Sequence, residues 1–212
     1  MHRPPREGPV TIAVTGPFAS GKSTFVCLLE ELGAETASAD EIVHHLLQND
    51  QQAIFRIVER FGEKVRGTKG IDRKALGYEV FGGPEGLADL EGILHPLVRR
   101  ETDLRIEASD AELFVVEIPL LFEAERGEDF DYTVAVVVPE ERRRVWAEER
   151  GVNEATLRGI EARQLSGEEK ARRADLVVQN DGDLDRLKEQ AKELGRRIFR
   201  ERGSGGSVRQ ET

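Results

Sequence analysis

The stretch Val10-Thr-Ile-Ala-Val-Thr-Gly-Pro-Phe-Ala-Ser-Gly-Lys-Ser-Thr24 decides the fold of this chain. Its first six residues are apolar or β-branched and lie between Pro9 and Gly16, which predicts a short buried strand. The eight residues from Gly16 match G-x-x-x-x-G-K-[ST], a loop that curls around phosphate with its N–H groups pointing inward. Helical spacing over residues 23–32 then predicts a helix whose positive end faces the same anion. Strand, loop and helix together predict a nucleotide-binding site.

Each part of this loop suits a phosphate ligand. Glycine permits the backbone conformation, Lys22 supplies a mobile positive charge for the outer phosphates, and the Ser23 hydroxyl suits Mg²⁺. From average residue frequencies, a chain of this length would show the string by chance on the order of 1% of the time. The predicted ATP contacts in this stretch are Gly16, Ala19, Ser20, Gly21, Lys22, Ser23 and Thr24.

The remaining pattern alternates strands and helices and predicts an α/β fold. Four further short apolar segments are predicted as strands, at residues 36–38, 113–118, 132–138 and 176–179. The central ones are apolar on both faces, which indicates a parallel sheet of five strands covered on both sides, a three-layer architecture. Predicted helices span residues 23–32, 39–48, 51–61, 72–80, 87–108, 140–150, 154–165, 168–173 and 184–199.

The segment 39–110 holds only helices and is much longer than one crossover requires. It therefore predicts a helical subdomain on one side of the sheet. Pro96 lies inside the predicted helix 87–108 and should kink that helix or divide it in two.

Composition narrows the class of protein. The chain has 212 residues, with 31 basic and 41 acidic side chains and a net charge of −10, so it lacks a global basic surface for nucleic acid. A single cysteine, Cys27, excludes an internal disulfide. No apolar run approaches the ~20 residues of a membrane span, and no secretory-type stretch is present. We expect a cytoplasmic protein without nucleic-acid or membrane partners, as a monomer or small homo-oligomer, with disordered ends at residues 1–9 and 201–212.

Among proteins with such a loop, a small-molecule kinase fits best. A GTPase needs a guanine-reading N-K-x-D string, and the chain has none. A kinase that acts on a hydroxyl benefits from a carboxylate that accepts the proton of the attacking oxygen. Asp40 follows the predicted second strand at its carboxyl end, where open parallel sheets bind their ligands. The same position also suits an aspartate in the first turn of a helix, and spacing alone leaves both roles open.

The chain resembles a known family over residues from about 10 to about 199. The matching segments, in order, are 14–16 and 19–24, Ala39-Asp40, Ile71-Asp-Arg73, Leu94-His-Pro96, Pro119-Leu-Leu-Phe-Glu123, 164–170, and Ala174-Asp175 with Asn180. Together they are similar to dephospho-coenzyme A kinase. Many families share the phosphate loop. The conjunction of His-Pro, Pro-Leu-Leu-Phe-Glu and the late Ala-Asp…Asn is far more specific.

This resemblance implies transfer of the γ-phosphate of ATP to the 3′-hydroxyl of dephospho-CoA. It implies a P-loop kinase domain over residues 10–200, like the nucleoside-monophosphate kinases, with a helical CoA-binding region at 39–110 and a lid at 140–173. Asp40 would be the base, and Asn180 would lie beside adenine. The alternatives are a P-loop kinase acting on another small acceptor, such as a nucleoside or nucleotide, and a non-catalytic nucleotide-binding module.

For the other predicted site residues, the sequence leaves a structural role open beside the functional role. Arg73 and His95 belong to matching segments and are expected near the CoA-side pocket, although a lone histidine is more often packed or capping. Glu117 ends a predicted strand, where it could bind Mg²⁺ through water or stand as an ordinary strand-end acid. Seven arginines of the lid region could neutralise charge on the transferring phosphoryl group or merely be solvated, with Arg150 and Arg163 favoured.

At three positions the sequence departs from the family's usual residues. Ser38 stands where the family often has Asp, which removes a carboxylate. Pro17 stands where Gly is common, which removes an N–H from the loop's entry. Trp146 stands where Arg is common, so we expect a lid contact to phosphate to be missing or supplied by Arg142, Arg143 or Arg144.

Overall fold

The computed structural model describes residues 8–82 and 85–205. It divides the chain into two compact units: one holds the residues up to Thr36 and those from Ser109 onward, and the other is Ala37–Ala108. Residues 1–7 and 206–212, most of the ends that sequence predicts as disordered, lie outside the described residues.

The predicted strands form one five-stranded sheet. They are β1 (Val10–Thr15), β2 (Glu35–Ser38), β3 (Leu113–Glu117), β4 (Tyr132–Val137) and β5 (Leu176–Gln179), in the spatial order β2-β3-β1-β4-β5. β1 pairs in parallel with β3 and with β4, and β4 pairs in parallel with β5. The predicted five-stranded parallel sheet is therefore confirmed.

Nine helices connect and cover the strands within the described ranges. They are α1 (Lys22–Glu31), α2 (Ala39–Asn49), α3 (Gln51–Phe61), α4 (Arg73–Phe81), α5 (Gly86–Ala108), α6 (Glu140–Glu149), α7 (Glu154–Glu161), α8 (Gly167–Arg173) and α9 (Leu184–Gly205). No helix among the described residues is long and apolar enough to cross a lipid bilayer.

The core of the first unit explains why its strands read as continuous apolar runs. All six residues of β1 are buried. Ile12 and Val14 point into a cluster that Phe25 of α1 and Leu187 of α9 complete. The intervening Ala13 is also fully buried, so both faces of the strand are covered.

Two aspartates fix the strands at the edge of the sheet opposite the phosphate loop. One carboxylate oxygen of Asp131 accepts hydrogen bonds from the Thr11 N–H and hydroxyl, each at 2.8 Å. Asp175 does the same for Thr133, at 2.7 and 2.6 Å. In return each threonine hydroxyl accepts the aspartate's own N–H at 3.0 Å. These reciprocal clamps hold the start of β4 against β1 and the start of β5 against β4.

The second unit is the predicted helical subdomain, built from α2 to α5 around an apolar cluster that includes Ile57, Phe61 and Leu94. Asp72 caps α4 as predicted, accepting the N–H groups of Lys74 and Ala75. Of the two effects predicted for Pro96, division of the helix is wrong, because α5 runs unbroken for 23 residues, and a kink stays a prediction.

The ends of two other helices also differ from prediction. α7 ends at Glu161, four residues earlier than expected, because the following segment turns back through backbone bonds from Arg163 and Gln164 to Ile160 and Glu161. α9 continues to Gly205, so residues 201–205 are helical where disorder was predicted. Arginine and glutamate favour the helix as far as Arg202, whereas the sequence offers no local reason for the helical Gly203-Ser-Gly205.

Candidate active site

The phosphate loop lies between the end of β1 and the start of α1, as predicted. Its backbone adopts left-handed conformations at Gly16 (φ 150°), Ala19 (φ 58°) and Gly21 (φ 87°). A Cβ atom at Gly16 would overlap the carbonyl oxygen of Val136. A Cβ atom at Gly21 would overlap the side-chain amide of Asn180. Both glycines are thus required by close packing as well as by conformation.

Lys22 is the first residue of α1, and its side chain is buried over the loop. Its Nζ donates a hydrogen bond to the carbonyl oxygen of Pro17 at 2.9 Å. Pro17, one of the departures from the family pattern, therefore still offers the loop carbonyl that holds this ammonium group. The positive charge is fixed inside the loop before any phosphate arrives.

Ser23 and Glu117 meet at the carboxyl edge of the sheet. The Ser23 hydroxyl donates to Glu117 Oε1 at 3.1 Å. Glu117 ends β3, opposite Val14 of β1 in the parallel register, so it comes beside the start of α1. A hydroxyl and a carboxylate at this spacing are the oxygen donors that Mg²⁺ prefers. The structure brings together the two residues predicted for the metal.

Asn180 follows β5 and is buried against the loop. Its N–H donates to the carbonyl oxygen of Val137 at 2.7 Å. Its side-chain Nδ2 donates to the carbonyl oxygen of Ser20 at 2.9 Å. The Ser20 hydroxyl is itself buried and has no hydrogen-bond partner among the described residues. Asn180 therefore supports the loop directly, a role that the sequence did not predict.

A small cleft of about 250 Å³ lies beside the loop and the first turn of α1. Four of the predicted ATP or catalytic residues line it: Gly21, Thr24, Arg150 and Asn180. Trp146, the third departure from the family pattern, lines it as well. Arg163 does not line this cleft, so the structure brings only one of the two favoured arginines to it.

A larger cleft of about 690 Å³ opens between the end of β4 and the connection from α7 to α8. It touches the loop only at Pro17, and its charged lining combines Arg143 with the carboxylates of Glu140, Glu161 and Glu168. Arg143 Nη2 donates to Glu161 Oε1 at 2.5 Å. The acidic lining makes this cleft a poor place for phosphates.

The segment after α7 is anchored to the loop by residues for which sequence analysis predicted no role. The Gln164 Oε1 atom accepts the Phe18 N–H at 3.1 Å. Glu123 Oε1 accepts the Leu165 N–H at 2.7 Å. Both Gln164 and Glu123 lie in the segments that carried the family resemblance. That resemblance was the signal in the sequence, since their partners lie 146 and 42 positions away.

Lys170 of α8 forms the most buried ion pair near the site. Its side chain is fully buried, and Nζ lies 2.8 Å from Glu123 Oε1 and donates to the carbonyl oxygen of Pro119 at 2.6 Å. Burial lowers the pKa of Lys170 below its ordinary value, while the hydrogen bond and charge of Glu123 act in the opposite direction. The pair ties α8 to the segment that follows β3.

Several other lid arginines are engaged with neighbouring carboxylates. Arg144 pairs with Glu140 at 2.6 Å, and Arg172 and Arg173 both pair with Glu169. These side chains are largely exposed, so the pairs are solvated surface contacts. Arg142 lies against Gly182 beside the small cleft.

The three predicted acceptor-side residues belong to the second unit. Asp40 is exposed in the first turn of α2, whose N-cap is Ser38, the hydroxyl of which accepts the Glu41 N–H. Arg73 Nη1 lies 3.5 Å from His44 Nδ1. His95 is exposed on α5, so the packed alternative does not apply. Asp40 thus occupies the first helical turn that its structural alternative expects, after the Ser38 cap, and its role as base stays a prediction.

Comparison with known proteins agrees with this geometry. A family model for dephospho-CoA kinase matches residues 10–186. A dephospho-CoA kinase of Protochlamydia amoebophila (strain UWE25) is 36% identical over 189 residues, covering 86% of this chain and 93% of the relative.

Two solved structures are similar over nearly the whole fold. The crystal structure of TT1252 from Thermus thermophilus has a TM-score of 0.78 at 33% identity, covering 91% of this chain and 99% of that one. Dephospho-CoA kinase from Campylobacter jejuni has a TM-score of 0.67 at 28% identity, covering 89% and 96%. The predicted P-loop kinase fold is thereby confirmed. Since the family model spans most of its length, the chain belongs to the dephospho-CoA kinase family.

Proposed function

We propose that this chain transfers the γ-phosphate of ATP to the 3′-hydroxyl of dephospho-CoA, giving CoA and ADP, the last step of coenzyme A synthesis. Family membership supports the reaction. In this chain, the observation that supports the reaction is a set of three contacts at the loop, which we call the phosphate cradle. Lys22 is held inside the loop, the Ser23 hydroxyl donates to Glu117, and Asn180 donates to the Ser20 carbonyl. A binding module needs the loop but not the paired hydroxyl and carboxylate.

On the donor side, the loop's N–H groups and the start of α1 offer a positive site to the phosphates. The buried ammonium of Lys22 would act on the outer phosphates, where charge builds up during transfer. Because that charge is already fixed by the Pro17 carbonyl, little reorganisation is needed at the moment of reaction.

Mg²⁺ fits the residues present at the edge of the loop. Ser23 Oγ and Glu117 Oε1 are oxygen donors 3.1 Å apart, and Glu117 would act through water. Within the described ranges no cluster of three or more His, Cys, Asp or Glu side chains could hold a metal. The ion would thus take its other ligands from phosphates and water. When bound, it neutralises charge on the transferred group.

On the acceptor side, we assign the proton-accepting role to Asp40. Its exposed carboxylate follows β2 directly, and Ser38 rather than Asp40 caps the helix, so the side chain is not committed to the cap. Arg73 and His95 are exposed on the same helical unit and are assigned to substrate binding. A guanidinium suits phosphate groups of the acceptor because it can form two parallel hydrogen bonds.

We assign Arg150 and Arg163, both in the lid region, to contacts with the transferred phosphate. Arg150 ends α6 and lines the small cleft beside Thr24, which supports its role. Arg163 follows α7 next to Gln164, whose side chain contacts the phosphate loop at Phe18, and this neighbourhood supports the assignment of Arg163. Guanidinium groups there would stabilise transition-state charge.

The test is a turnover assay with ATP, Mg²⁺ and separate acceptors: dephospho-CoA, a nucleoside, a nucleoside monophosphate and none. We expect ADP and CoA in equal amounts with dephospho-CoA only. ADP formed with another acceptor alone would replace the proposal by a different small-molecule kinase. ATP binding without ADP from any acceptor would favour the non-catalytic module.

Cytoplasmic location, the lack of nucleic-acid and membrane partners, and a monomeric or small homo-oligomeric state remain predictions from the sequence. Light scattering after size-exclusion chromatography measures the last of these directly.

A further inference from the structure

The chain contains one tryptophan, and it lies at the small cleft. Trp146 is on α6, between Val145, which is 52% exposed, and Ala147, which is fully buried. Its indole is partly buried and packs against a small apolar cluster that contains Ala19, Ala147 and Leu157. Ala19 is a residue of the phosphate loop. The indole is therefore positioned by the loop on one side while it forms a wall of the cleft on the other.

The chemistry of the cleft selects a flat group with apolar faces and polar edges. Apolar walls come from Trp146, Leu184 and Leu187, and polar groups from Thr24 and Asn180. Thr24 follows the loop's own Lys-Ser pair, and the neighbouring Gly21 also lines the cleft. A group attached to a phosphate on the loop can thus extend into the cleft. A nucleobase has this combination of faces and edges.

We propose that the Trp146 indole stacks on the base of the donor nucleotide and is the main determinant of base binding in this chain. The proposal rests on the proposed function for the statement that the donor is a nucleoside triphosphate. Stacking fits an indole that is held by packing against Ala147 and Leu157, because such a ring loses little freedom when a base covers its face. Stacking also tolerates different bases, since every base has a π-face.

A kinetic consequence follows from the position of the indole. It lies at the base end of the donor, away from the Lys22 and Ser23 groups that act on the transferred phosphate. Loss of the ring should weaken ATP binding and leave the chemical step unchanged. A lost base–aromatic contact corresponds to about a 5- to 150-fold rise in the KM for ATP, with kcat changed less than about 3-fold. Trp146→Phe should recover most of the loss, because phenylalanine keeps an aromatic face.

Fluorescence of the single tryptophan gives a readout independent of turnover. ATP and inorganic tripolyphosphate both present phosphates to the loop, but only ATP carries a base. We expect tripolyphosphate to compete with ATP and to leave the Trp146 emission nearly unchanged, whereas ATP shifts or quenches it. Comparison of ATP with GTP should show similar changes, as stacking tolerates either purine.

The experiment compares wild type, Trp146→Leu, Trp146→Phe and the matched control Val145→Ala, the exposed neighbour on the same helix that does not line the cleft. The proposal is supported if the KM for ATP rises in Trp146→Leu but not in Val145→Ala, and if the wild-type emission depends on the base. An unchanged KM, or equal emission changes with ATP and tripolyphosphate, would overturn it. If Trp146→Leu does not fold, the wild-type emission with ATP and with tripolyphosphate decides. Absence of CoA formation with intact base-dependent emission would refute the proposed function alone.

Discussion

Replacing Lys170 by methionine tests the buried ion pair that ties α8 to the segment after β3. The Lys170 side chain is 0% exposed and that of Glu123 is 17% exposed, with their charged atoms 2.8 Å apart. Removing one partner of a buried pair costs about 3–5 kcal/mol, because the other charge is left uncompensated. Glu123 keeps the Leu165 N–H and some solvent, which places the expected loss near the lower end, at about 3 kcal/mol. For a chain of this size that corresponds to a melting temperature lower by roughly 6–12 °C.

Urea unfolding followed by circular dichroism measures the loss, with Arg144→Met as the control. The Arg144–Glu140 pair has a similar distance, but its side chains are 63% and 64% exposed, so its removal should cost less than about 1 kcal/mol. Adding Glu123→Gln to Lys170→Met should restore part of the stability, since no unpaired charge remains. Equal losses in Lys170→Met and Arg144→Met would refute the reasoning.

The same pair gives a pH dependence of known sign. Burial lowers the pKa of Lys170 in the folded chain below the ordinary 10.5, so the unfolded chain binds more protons between those two values. Stability contributed by this group therefore rises with pH across that window. Lys170→Met should lack the rise, which unfolding curves at several alkaline pH values would detect as a flatter profile than that of the wild type.

Four further expectations can be checked separately. Lys22→Ala should nearly abolish turnover with an unchanged melting temperature, and wild-type-like turnover would contradict the assignment of the loop. Asp40→Asn should lower kcat by roughly 10²–10⁴-fold at saturating substrates without loss of stability, and near-normal turnover would remove Asp40 from the catalytic residues. Asp175→Ala should destabilise the chain by about 2–3 kcal/mol, measured by urea unfolding, because the buried Thr133 N–H and hydroxyl proton both lose their acceptor. A non-hydrolysable ATP analogue should slow hydrogen exchange mainly in residues 142–170, and equal exchange in both states would argue against a lid there.

Sequence reasoning succeeded where the determining interactions are local. The strand, loop and helix of residues 10–31 follow from periodicity, glycine and a known loop string. The two residues predicted for metal and adenine, Glu117 and Asn180, each follow or end a predicted strand. Because parallel strands end at one edge of the sheet, strand prediction places Glu117 near the loop, whereas the prediction for Asn180 rested on the family resemblance.

Sequence reasoning did not predict contacts between residues that lie far apart in the chain. Five of the six residues from Glu168 to Arg173 are charged, and nothing local indicates that Lys170 is the buried one. Its burial depends on Glu123 and Pro119, 47 and 51 positions earlier. The continuity of α5 is a second example. Packing within its own unit outweighs the destabilisation that Pro96 causes inside a helix. Tertiary contacts also decide that Asn180 braces the loop.

The register of the parallel sheet links these local and distant features. Val14 pairs with Glu117, which brings that carboxylate beside Ser23, and Val137 pairs with Gln179, which brings Asn180 onto the loop. A slip of one residue would move each side chain to the opposite face of the sheet and separate both contacts. The threonine–aspartate clamps at the other edge pin the starts of β4 and β5, and each strand is only four to six residues long. Over so short a distance, fixing one end of a strand fixes the other. The geometry of the phosphate cradle is therefore determined in part by two aspartates that lie at the far edge of the sheet and never touch it.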